Sequence, residues 1–160
     1  MRIAAGFDHA GYPLRETIVS ALEGAGHEVV DCGTDSEESA DYPVHAARAA
    51  AMVSAGSAEL AVLACGSGTG VSIVANKLPG VRAVNARDAE DAEMARRHND
   101  ANVLTLAGRR LSAGDARTII GAFLAAEFEG GRHKRRVDQI TRVENGELPS
   151  GADQALKEAT

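Results

Sequence analysis

The sequence predicts an α/β protein in which helices cover both faces of one parallel sheet. Short apolar runs alternate with longer amphipathic stretches along the chain, as expected when each strand is followed by a helix. The apolar runs are rich in β-branched residues, which is typical of strands that are buried on both faces. A chain of 160 residues is long enough for one such domain and its core.

The first half of the chain contains three predicted strands and the helices that connect them. Strands are predicted at residues 3–7, 28–31 and 60–64, and helices at residues 13–22, 41–52 and 70–78. In the first helix, Leu14, Ile18 and Leu22 recur at the spacing of one helical face. Asp41 is placed to cap the second helix, and Pro43 falls in its first turn, where a missing N–H costs nothing.

The second half of the chain adds two strands and three helices. Strands are predicted at residues 81–84 and 103–107, and helices at residues 88–98, 112–128 and 132–143. Ser112 is predicted to cap its helix, and Gly130-Gly131 separates that helix from the last one. We therefore expect a three-layer α/β/α, Rossmann-like fold with a five-stranded parallel sheet. Residues 1–144 are expected to form the single domain, and residues 145–160 a polar tail that is flexible unless it docks on a partner.

The composition excludes several classes of function. Aromatic residues make up only 3% of the chain and the net charge is −6, which argues against a nucleic-acid partner. No apolar stretch approaches the roughly 20 residues that span a bilayer, so we expect no membrane partner. Asp8 and His9 interrupt the N-terminal segment that a signal peptide would keep apolar. The two cysteines provide no disulfide framework and favour a cytoplasmic location.

A glycine-rich loop after the third predicted strand is the strongest functional signal in the sequence. Residues 61–77 read AVLACGSGTGVSIVANK, so an apolar run ends in Cys65 and alternate glycines precede a helix. The unpaired backbone N–H groups of such a loop, together with the helix dipole, bind anions. The same field stabilises the Cys65 thiolate, so the loop offers a base or nucleophile beside a site for negative charge. The alternative interpretation is a tight turn with a buried, inert cysteine.

The spacing of this loop excludes better-known anion-binding motifs. A P-loop needs Lys-Ser or Lys-Thr after its glycines, and a dinucleotide-binding loop needs GxGxxG after the first strand; the sequence has neither. A cysteine phosphatase loop would have an arginine at the position of Val71. No cluster of His, Cys, Asp or Glu has the spacing of metal ligands, so we expect no metal.

Other polar candidates follow predicted strands at the end where parallel sheets bind ligands. Asp8 and His9 come directly after the first strand, and Arg109 follows the fifth. Because the carboxyl ends of parallel strands share one edge of a sheet, we expect these side chains near Cys65. The alternative for the Asp8-His9 pair is a turn aspartate and a surface histidine.

Two further groups of candidates lie on predicted helices. His98 and Asn99 end the fourth helix, where the alternative for His98 is a favourable contact with the helix dipole. Arg132 and Arg136 are four residues apart and so share one face of the last helix. Two guanidinium groups on one face suit a phosphate dianion, and a solvated charged face is the alternative.

Six motifs give the sequence a resemblance to a known enzyme family. In order, they are FDHAG near the start, DYP at 41–43, CGSGTG at 65–70, ANK at 75–77, RHND at 97–100 and EGGRH…RV at 129–137. Together, in this order and at this spacing, they resemble the B-type ribose-5-phosphate isomerases, whose relatives include the galactose-6-phosphate isomerase subunits. The resemblance covers roughly residues 1–144.

The resemblance implies an isomerase of the pentose phosphate pathway that interconverts D-ribose 5-phosphate and D-ribulose 5-phosphate through an enediolate, without metal or organic cofactor. It implies that Cys65 moves the proton between C2 and C1, that Ser67 contributes a hydroxyl, and that His98 opens the furanose ring. The substrate-binding residues that it implies are Asp8, His9, Gly66, Ser67, Gly68, Thr69, Gly70 and Asn99. The phosphate-binding residues that it implies are Arg109, Arg132 and Arg136.

The resemblance also implies a homodimer with two sites at the interface, each built from both chains, and it leaves a tetramer open. The segment Asn85-Ala86-Arg87 departs from the bulkier residues of relatives, and residues 145–160 extend past the shared core. Two alternatives to the pentose-phosphate reaction remain. One is a related isomerase acting on a hexose phosphate or on a free hexose such as allose, and the other is a non-catalytic module that binds a sugar phosphate.

Overall fold

Five parallel strands form the middle layer of the protein, in a computed structural model that describes residues 1–152. The strands are β1 (Arg2–Phe7), β2 (Glu28–Asp31), β3 (Leu60–Cys65), β4 (Ala83–Asn85) and β5 (Val103–Ala107). Their order across the sheet is β2-β1-β3-β5-β4, and every neighbouring pair is parallel. Strands β3 and β5 are buried along their whole length, as their largely apolar sequences predict. The predicted five-stranded parallel sheet is confirmed.

Helices cover both faces of this sheet. A 3-10 turn (Tyr12–Leu14) leads into α1 (Arg15–Gly24), and α2 (Tyr42–Ser54), α3 (Thr69–Ala75), α4 (Ala89–Asn99), α5 (Ala113–Ala125) and α6 (Gly131–Glu144) follow. Helices α1, α4 and α5 pack in one apolar cluster on one face, whereas α2 and α3 pack in another on the opposite face. The predicted three-layer, Rossmann-like arrangement is confirmed. Within residues 1–152, no helix combines the length and the apolar character needed to cross a membrane.

The two faces of the sheet are packed in different ways. On the face covered by α1, α4 and α5, the largest fully buried side chains include Phe7 and Phe123. Burying a side chain of this size contributes about 1.5–3 kcal/mol. On the other face, α2 presents small side chains such as Ala49 to the sheet and lies very close to it. A Cβ on Gly6 of β1 would lie only 2.9 Å from the carbonyl oxygen of His45, so this approach depends on glycine.

The helix after the glycine loop is shorter than predicted. Helix α3 ends at Ala75 rather than at residue 78, because Asn76 forms side-chain hydrogen bonds that link α3 to β4. Asn76 Nδ2 donates to Ser72 O (3.0 Å) and to Ala83 O (2.9 Å), and its Oδ1 accepts from Ala83 N–H (2.8 Å). The same bonds place the start of β4 at Ala83 rather than at residue 81.

Both predicted caps stand at the N-cap positions of their helices, but only one of them caps through its side chain. Ser112 Oγ accepts from Asp115 N–H (3.1 Å) at the start of α5, and Asp115 Oδ2 accepts from Ser112 N–H (3.1 Å). Asp41 stands at the N-cap position of α2, but its side chain makes no capping hydrogen bond. Only its backbone carbonyl takes part, accepting from Val44 N–H (3.1 Å). Of the predicted tail, residues 145–152 follow α6 without further helix, and residues 153–160 lie outside the described residues.

The carboxyl ends of β1 and β3 form a crevice. The chain leaves β1 toward β2 on one side of the sheet, and it continues from β3 toward β4 and β5 on the other side. Sheets of this kind bind ligands where the strand order reverses in this way. Asp8 follows β1 and Cys65 ends β3, and Phe7 pairs in register with Ala64. The loop after β1 approaches β3 so closely that a Cβ on Gly11 would lie 2.2 Å from Ala64 O.

Replacing Gly11 and Gly121 by alanine should have opposite effects on stability. Gly11→Ala forces a methyl group against the Ala64 carbonyl, and overpacking of this kind costs about 1–3 kcal/mol. Gly121 lies in α5 with nothing within 4 Å of an added Cβ. Gly121→Ala should therefore stabilise the protein by about 0.5–1 kcal/mol, since alanine loses less backbone entropy in a helix. Urea unfolding followed by circular dichroism measures both changes, and a Gly11→Ala variant as stable as wild type would contradict the tight packing of this loop.

Candidate active site

A cavity of about 550 Å³ opens at the carboxyl ends of β1 and β3. Its lining residues are Asp8, His9, Ala10, Tyr42, Cys65, Gly66, Ser67, Gly70, Arg109 and Arg110. The structure therefore brings together the thiol, most of the glycine loop, the Asp8-His9 pair and one of the predicted phosphate-binding arginines. Tyr42 and Arg110 had no predicted role, although Tyr42 belongs to the DYP motif.

The two cysteines differ in their surroundings. Cys65 is only 4% exposed, but it borders the cavity. Cys32 is equally buried, lies 3.8 Å from Met52 Sδ and is absent from the cavity lining. Burial raises the pKa of the Cys32 thiol. Cys32 is thus a core residue, and Cys65 is the cysteine that borders the cavity.

Backbone donors hold the first two carbonyls of the glycine loop from the side of β5. Gly108 N–H donates to Cys65 O (2.8 Å), and Arg109 N–H donates to Gly66 O (3.2 Å). In a planar trans peptide, the carbonyl and the N–H of the next residue point in opposite directions. Fixing these carbonyls toward β5 therefore turns the N–H groups of Gly66 and Ser67 toward the cavity that both residues line.

Side-chain donors hold the next two carbonyls of the loop. Asn85 Nδ2 donates to Ser67 O (3.1 Å), and the fully buried Thr105 donates from Oγ1 to Gly68 O (3.0 Å). The N–H groups of Gly66, Ser67 and Gly68 have no acceptor within residues 1–152. A row of unpaired backbone donors beside a cavity is the geometry that an anion-binding loop requires. The contributions of Asn85 and Thr105 were not predicted from the sequence.

The remaining residues of the loop differ in their access to the cavity. Ser67 Oγ accepts a hydrogen bond from Thr69 N–H (3.3 Å), which leaves the hydroxyl proton of Ser67 for a ligand. Gly68 and Thr69, both predicted substrate-binding residues, do not line the cavity, whereas Gly70 does. A Cβ on Gly70 would lie 2.8 Å from the ring of Tyr42, so glycine is needed here for the ring to pack against the loop.

Asp8 and His9 are both held by backbone groups. Asp8 Oδ1 accepts from Ala10 N–H (2.9 Å) and Gly11 N–H (2.8 Å), so Asp8 stabilises its own turn as well as bordering the cavity. Ala40 N–H donates to His9 Nδ1 (3.2 Å). His9 Nδ1 lies equally close to Ala40 O (3.2 Å), so the backbone of Ala40 accommodates either tautomer of the ring. Ala40 thus holds the ring of His9 at the wall of the cavity.

Arg109 brings positive charge to the cavity. Its side chain lies across the glycine loop, since its Nε would be 3.5 Å from a Cβ on Gly66. A guanidinium binds phosphate through two parallel hydrogen bonds, which a single point charge does not offer. The predicted role of Arg109 in phosphate binding is compatible with its position on the wall of the cavity.

The predicted acid and the α6 arginines lie elsewhere in the same chain. His98 and Asn99 border a second cavity of about 500 Å³ next to the end of β4. Neither residue lines the cavity of Cys65, and neither do Arg132 and Arg136 of α6. A single chain therefore divides the predicted site residues into two separate groups.

Glu129 connects two imidazole rings in this second group. Arg97 Nε donates to Glu129 Oε1 (2.7 Å), and this hydrogen bond lowers the pKa of Glu129. Glu129 Oε2 lies 3.8 Å from His98 Nε2 and 3.6 Å from His133 Nε2. The rings of His98 and His133 are stacked, with centroids 4.1 Å apart and planes inclined by 5°. Glu129 and His133 had no predicted role, although both stand in the EGGRH motif.

His133 is a buried, neutral member of this cluster. Burial lowers the pKa of His133, and the neighbouring charges of His98 and Arg132 lower it further. Arg132 Nε donates to His133 Nε2 (3.2 Å), which requires that nitrogen to be an acceptor. A neutral ring therefore lies flat against His98 and fixes the orientation of its imidazole.

The same cluster meets part of the requirement for a metal site. His98, Glu129 and His133 offer ligand atoms that all lie within 4.8 Å of one another. Two histidines and a carboxylate suit a transition metal. However, the lone pairs of stacked, parallel rings run side by side rather than converging on one point, and Arg132 already occupies His133 Nε2. The arrangement suits an imidazole oriented by a stacked ring and a nearby carboxylate better than a metal centre.

His133→Phe should make the stability of the protein less dependent on pH. The unfolded chain takes up a proton on His133 below about pH 6.5, whereas the folded protein resists it because the pKa is lowered. The stability that His133 provides is therefore present above that pH and is lost as the pH falls through the lowered pKa. Phenylalanine keeps a stacked ring but takes up no proton, so this loss should be smaller. Urea unfolding between about pH 7.5 and 5.5 compares the two proteins, and equal pH dependence would show that His133 is not neutral when buried.

The chain is similar to isomerases over most of its length. Residues 3–140 match the family model described as Ribose/Galactose Isomerase. The ribose-5-phosphate isomerase B of Escherichia coli K12 is 44% identical over 143 residues, which cover 89% of this chain and 96% of that protein. The structure of Clostridium thermocellum ribose-5-phosphate isomerase B has a TM-score of 0.89 at 42% identity and covers 91% of this chain and 99% of its own. That of the Mycoplasma genitalium ribose-5-phosphate isomerase B with bound ribulose-5-phosphate has a TM-score of 0.86 at 39% identity and covers 90% of this chain and 96% of its own. The chain belongs to the ribose/galactose isomerase family.

Proposed function

We propose that this chain is an aldose–ketose isomerase that interconverts D-ribose 5-phosphate and D-ribulose 5-phosphate. Family membership supports this function, as do relatives that are named ribose-5-phosphate isomerase B. The Mycoplasma genitalium relative binds ribulose-5-phosphate. The observation that carries the proposal is a cysteine beside unpaired backbone donors in one cavity.

The reaction moves a proton between adjacent carbons. The Cys65 thiolate takes the proton from C2 of the open-chain aldose, and the electron pair moves through C1 to O1 to form an enediolate. The thiol returns that proton to C1, while O1 gains the proton that O2 gives up. Negative charge develops beside the N–H groups of Gly66, Ser67 and Gly68, and losing one such preorganised donor costs about 3–4 kcal/mol of transition-state stabilisation. The substrate undergoes no net oxidation or reduction, so the reaction as written needs no metal or organic cofactor.

The cavity also provides contacts for the rest of the substrate. Arg109 and His9 lie on its wall. Arg109 supplies N–H donors for the phosphate, and the imidazole of His9 is placed for hydrogen bonding to the oxygens near it. Asp8 and Ser67 also border it and suit sugar hydroxyls. Binding the phosphate, which does not react, holds C1 and C2 near the thiol and reduces the entropy cost of the proton transfer.

A second copy of the chain completes the site in this proposal. Ribose 5-phosphate is mostly a ring in solution, so an acid must open it before the proton transfer begins. The acid His98 and its neighbour Asn99 are absent from the cavity of Cys65, so we assign these roles to His98 of the partner subunit and Asn99 of the partner subunit. Arg132 and Arg136 of α6 are exposed and, with the 45% exposed Ile140, form a face that a homodimer would cover.

A cytoplasmic location and the limits of the isomerase domain are part of the same proposal. The two cysteines of the described residues are both free, which suits the reducing cytoplasm. Residues 1–144 form the isomerase domain, and residues 145–160 lie beyond the family match, which ends at residue 140.

Cys65→Ala should lose nearly all turnover, because a positioned general base contributes about 10²–10⁴-fold to the rate. The assay supplies ribose 5-phosphate and measures ribulose 5-phosphate, with and without a chelator. Cys32→Ala is the matched control, since it removes a buried thiol outside the cavity and should keep its kcat. A Cys65→Ala variant with near wild-type kcat would exclude Cys65 as the base, and loss of wild-type activity in chelator would exclude the metal-free reaction.

Mixing two inactive variants tests whether the site is shared between chains. Each proposed site takes Cys65 from one chain and His98 from the other. A dimer with one Cys65→Ala chain and one His98→Asn chain therefore contains one intact site and one site that lacks both residues. Random mixing should restore about a quarter of wild-type activity. Cys65→Ala mixed with Arg109→Ala is the control, because both residues border one cavity of one chain and no intact site can form. Dimers that regain no activity in the first mixture would place the whole site within one chain.

A further inference from the structure

Asn85 lies behind the glycine loop, and the reaction described above gives it no role. It ends β4, the edge strand of the sheet, and pairs in register with Thr105 of β5. It also begins the segment 85–87, in which the sequence departs from the family resemblance. Asn85 and Thr105 thus stand side by side under the loop and donate to two successive carbonyls.

The side chain of Asn85 is fitted closely to the loop. Nδ2 donates to Ser67 O (3.1 Å) and lies 3.4 Å from Thr69 Oγ1. Its Oδ1 is buried and has no hydrogen-bond partner within the described residues. That oxygen faces Gly68, where an added Cβ would lie only 2.3 Å from it. A buried acceptor without a hydrogen-bond partner destabilises the folded protein. The hydrogen bond from Asn85 Nδ2 to Ser67 O has to compensate for this loss.

Ser67 O differs from the other held carbonyls of the loop because, among the described residues, a side chain alone donates to it. Cys65 O and Gly66 O are held by the backbone of β5 and the turn after it, and Gly68 O accepts from Ser72 N–H (3.2 Å) as well as from Thr105. For Ser67 O, Asn85 is the donor found within residues 1–152. The orientation of the peptide between Ser67 and Gly68 therefore depends on one side chain.

We propose that Asn85 is a positioning residue that aims the Gly68 N–H at an oxygen of the enediolate, an inference that rests on the isomerase function proposed above. Gly68 has a φ of +74°, and glycine permits this peptide many other orientations. Holding Ser67 O turns the Gly68 N–H in the opposite direction, away from Asn85, and the neighbouring Ser67 lines the cavity. Donors that are fixed in advance stabilise the transition state without reorganising, so the loss of Asn85 should reduce kcat more than it changes KM.

Asn85→Ala tests this role through catalysis and through two ligands. We expect kcat to fall about tenfold, which is less than the 10²–10³-fold loss that follows removal of a direct donor. KM for ribose 5-phosphate should stay within about twofold, because the phosphate contacts remain. The Kd of a phosphorylated hydroxamate that mimics the enediolate should rise about tenfold, while the Kd of inorganic phosphate should stay within about twofold.

Two further variants separate positioning from general loosening of the fold. Asn76→Ala is the matched control, because Asn76 also links α3 to β4 through a side-chain amide but touches no carbonyl of the loop. Its kcat and its Kd for the hydroxamate should stay within about twofold of wild type. Asn85→Asp keeps the shape of the side chain but removes the donor, so its kcat should fall at least as far as that of Asn85→Ala.

The outcomes distinguish this role from the function on which it rests. A wild-type protein that does not convert ribose 5-phosphate would overturn the proposed function and the role of Asn85 with it. If wild type is active, three results would overturn the role of Asn85 alone: an unchanged kcat in Asn85→Ala, an equal loss in Asn76→Ala, or full activity in Asn85→Asp.

Discussion

The orientation of four successive peptide groups, those that follow residues 65–68, determines whether the cavity of Cys65 can bind negative charge. The carbonyls of residues 65–68 are held from the side of β4 and β5, so the N–H groups that follow them face the other way. This arrangement depends on sheet register, because Cys65 pairs with Ala107 and Asn85 pairs with Thr105. A slip of one residue would move each donor by about 3.3 Å and turn the side chains to the other face. The packing that fixes the register of the core therefore also orients the donors of the site.

Proton transfer and ring opening place different demands on their surroundings, and the protein separates them. The thiol of Cys65 lies at the base of a cavity, beside donors that suit negative charge on a ligand. His98 lies in a second group, where the stacked ring of His133 and the carboxylate of Glu129 orient it. Arg97 holds that carboxylate in turn. In the proposed dimer, the two groups meet across the interface, so each chain needs its partner for catalysis.

Much of the fold could be predicted because hydrophobic periodicity and capping are local. The strand predicted at residues 103–107 matches β5, and Ser112 caps α5 through a neighbour in the sequence. The end of α3 could not be predicted, since Asn76 binds across a turn to the next strand. The glycine loop and Cys65 stand together in the sequence and could be predicted together. Asn85 and Thr105 reach that loop from 18 and 37 residues away, so no local pattern identifies them.

Backbone amide chemical shifts test most directly whether the loop faces its substrate. Proton–nitrogen correlation spectra of the labelled protein are recorded with and without the phosphorylated hydroxamate. Hydrogen bonding to an oxyanion moves an amide proton downfield, so the largest downfield shifts are expected at Gly66, Ser67 and Gly68. If the analogue binds while these three resonances stay in place, then the enediolate oxygens are held elsewhere and the held carbonyls do not serve the reaction.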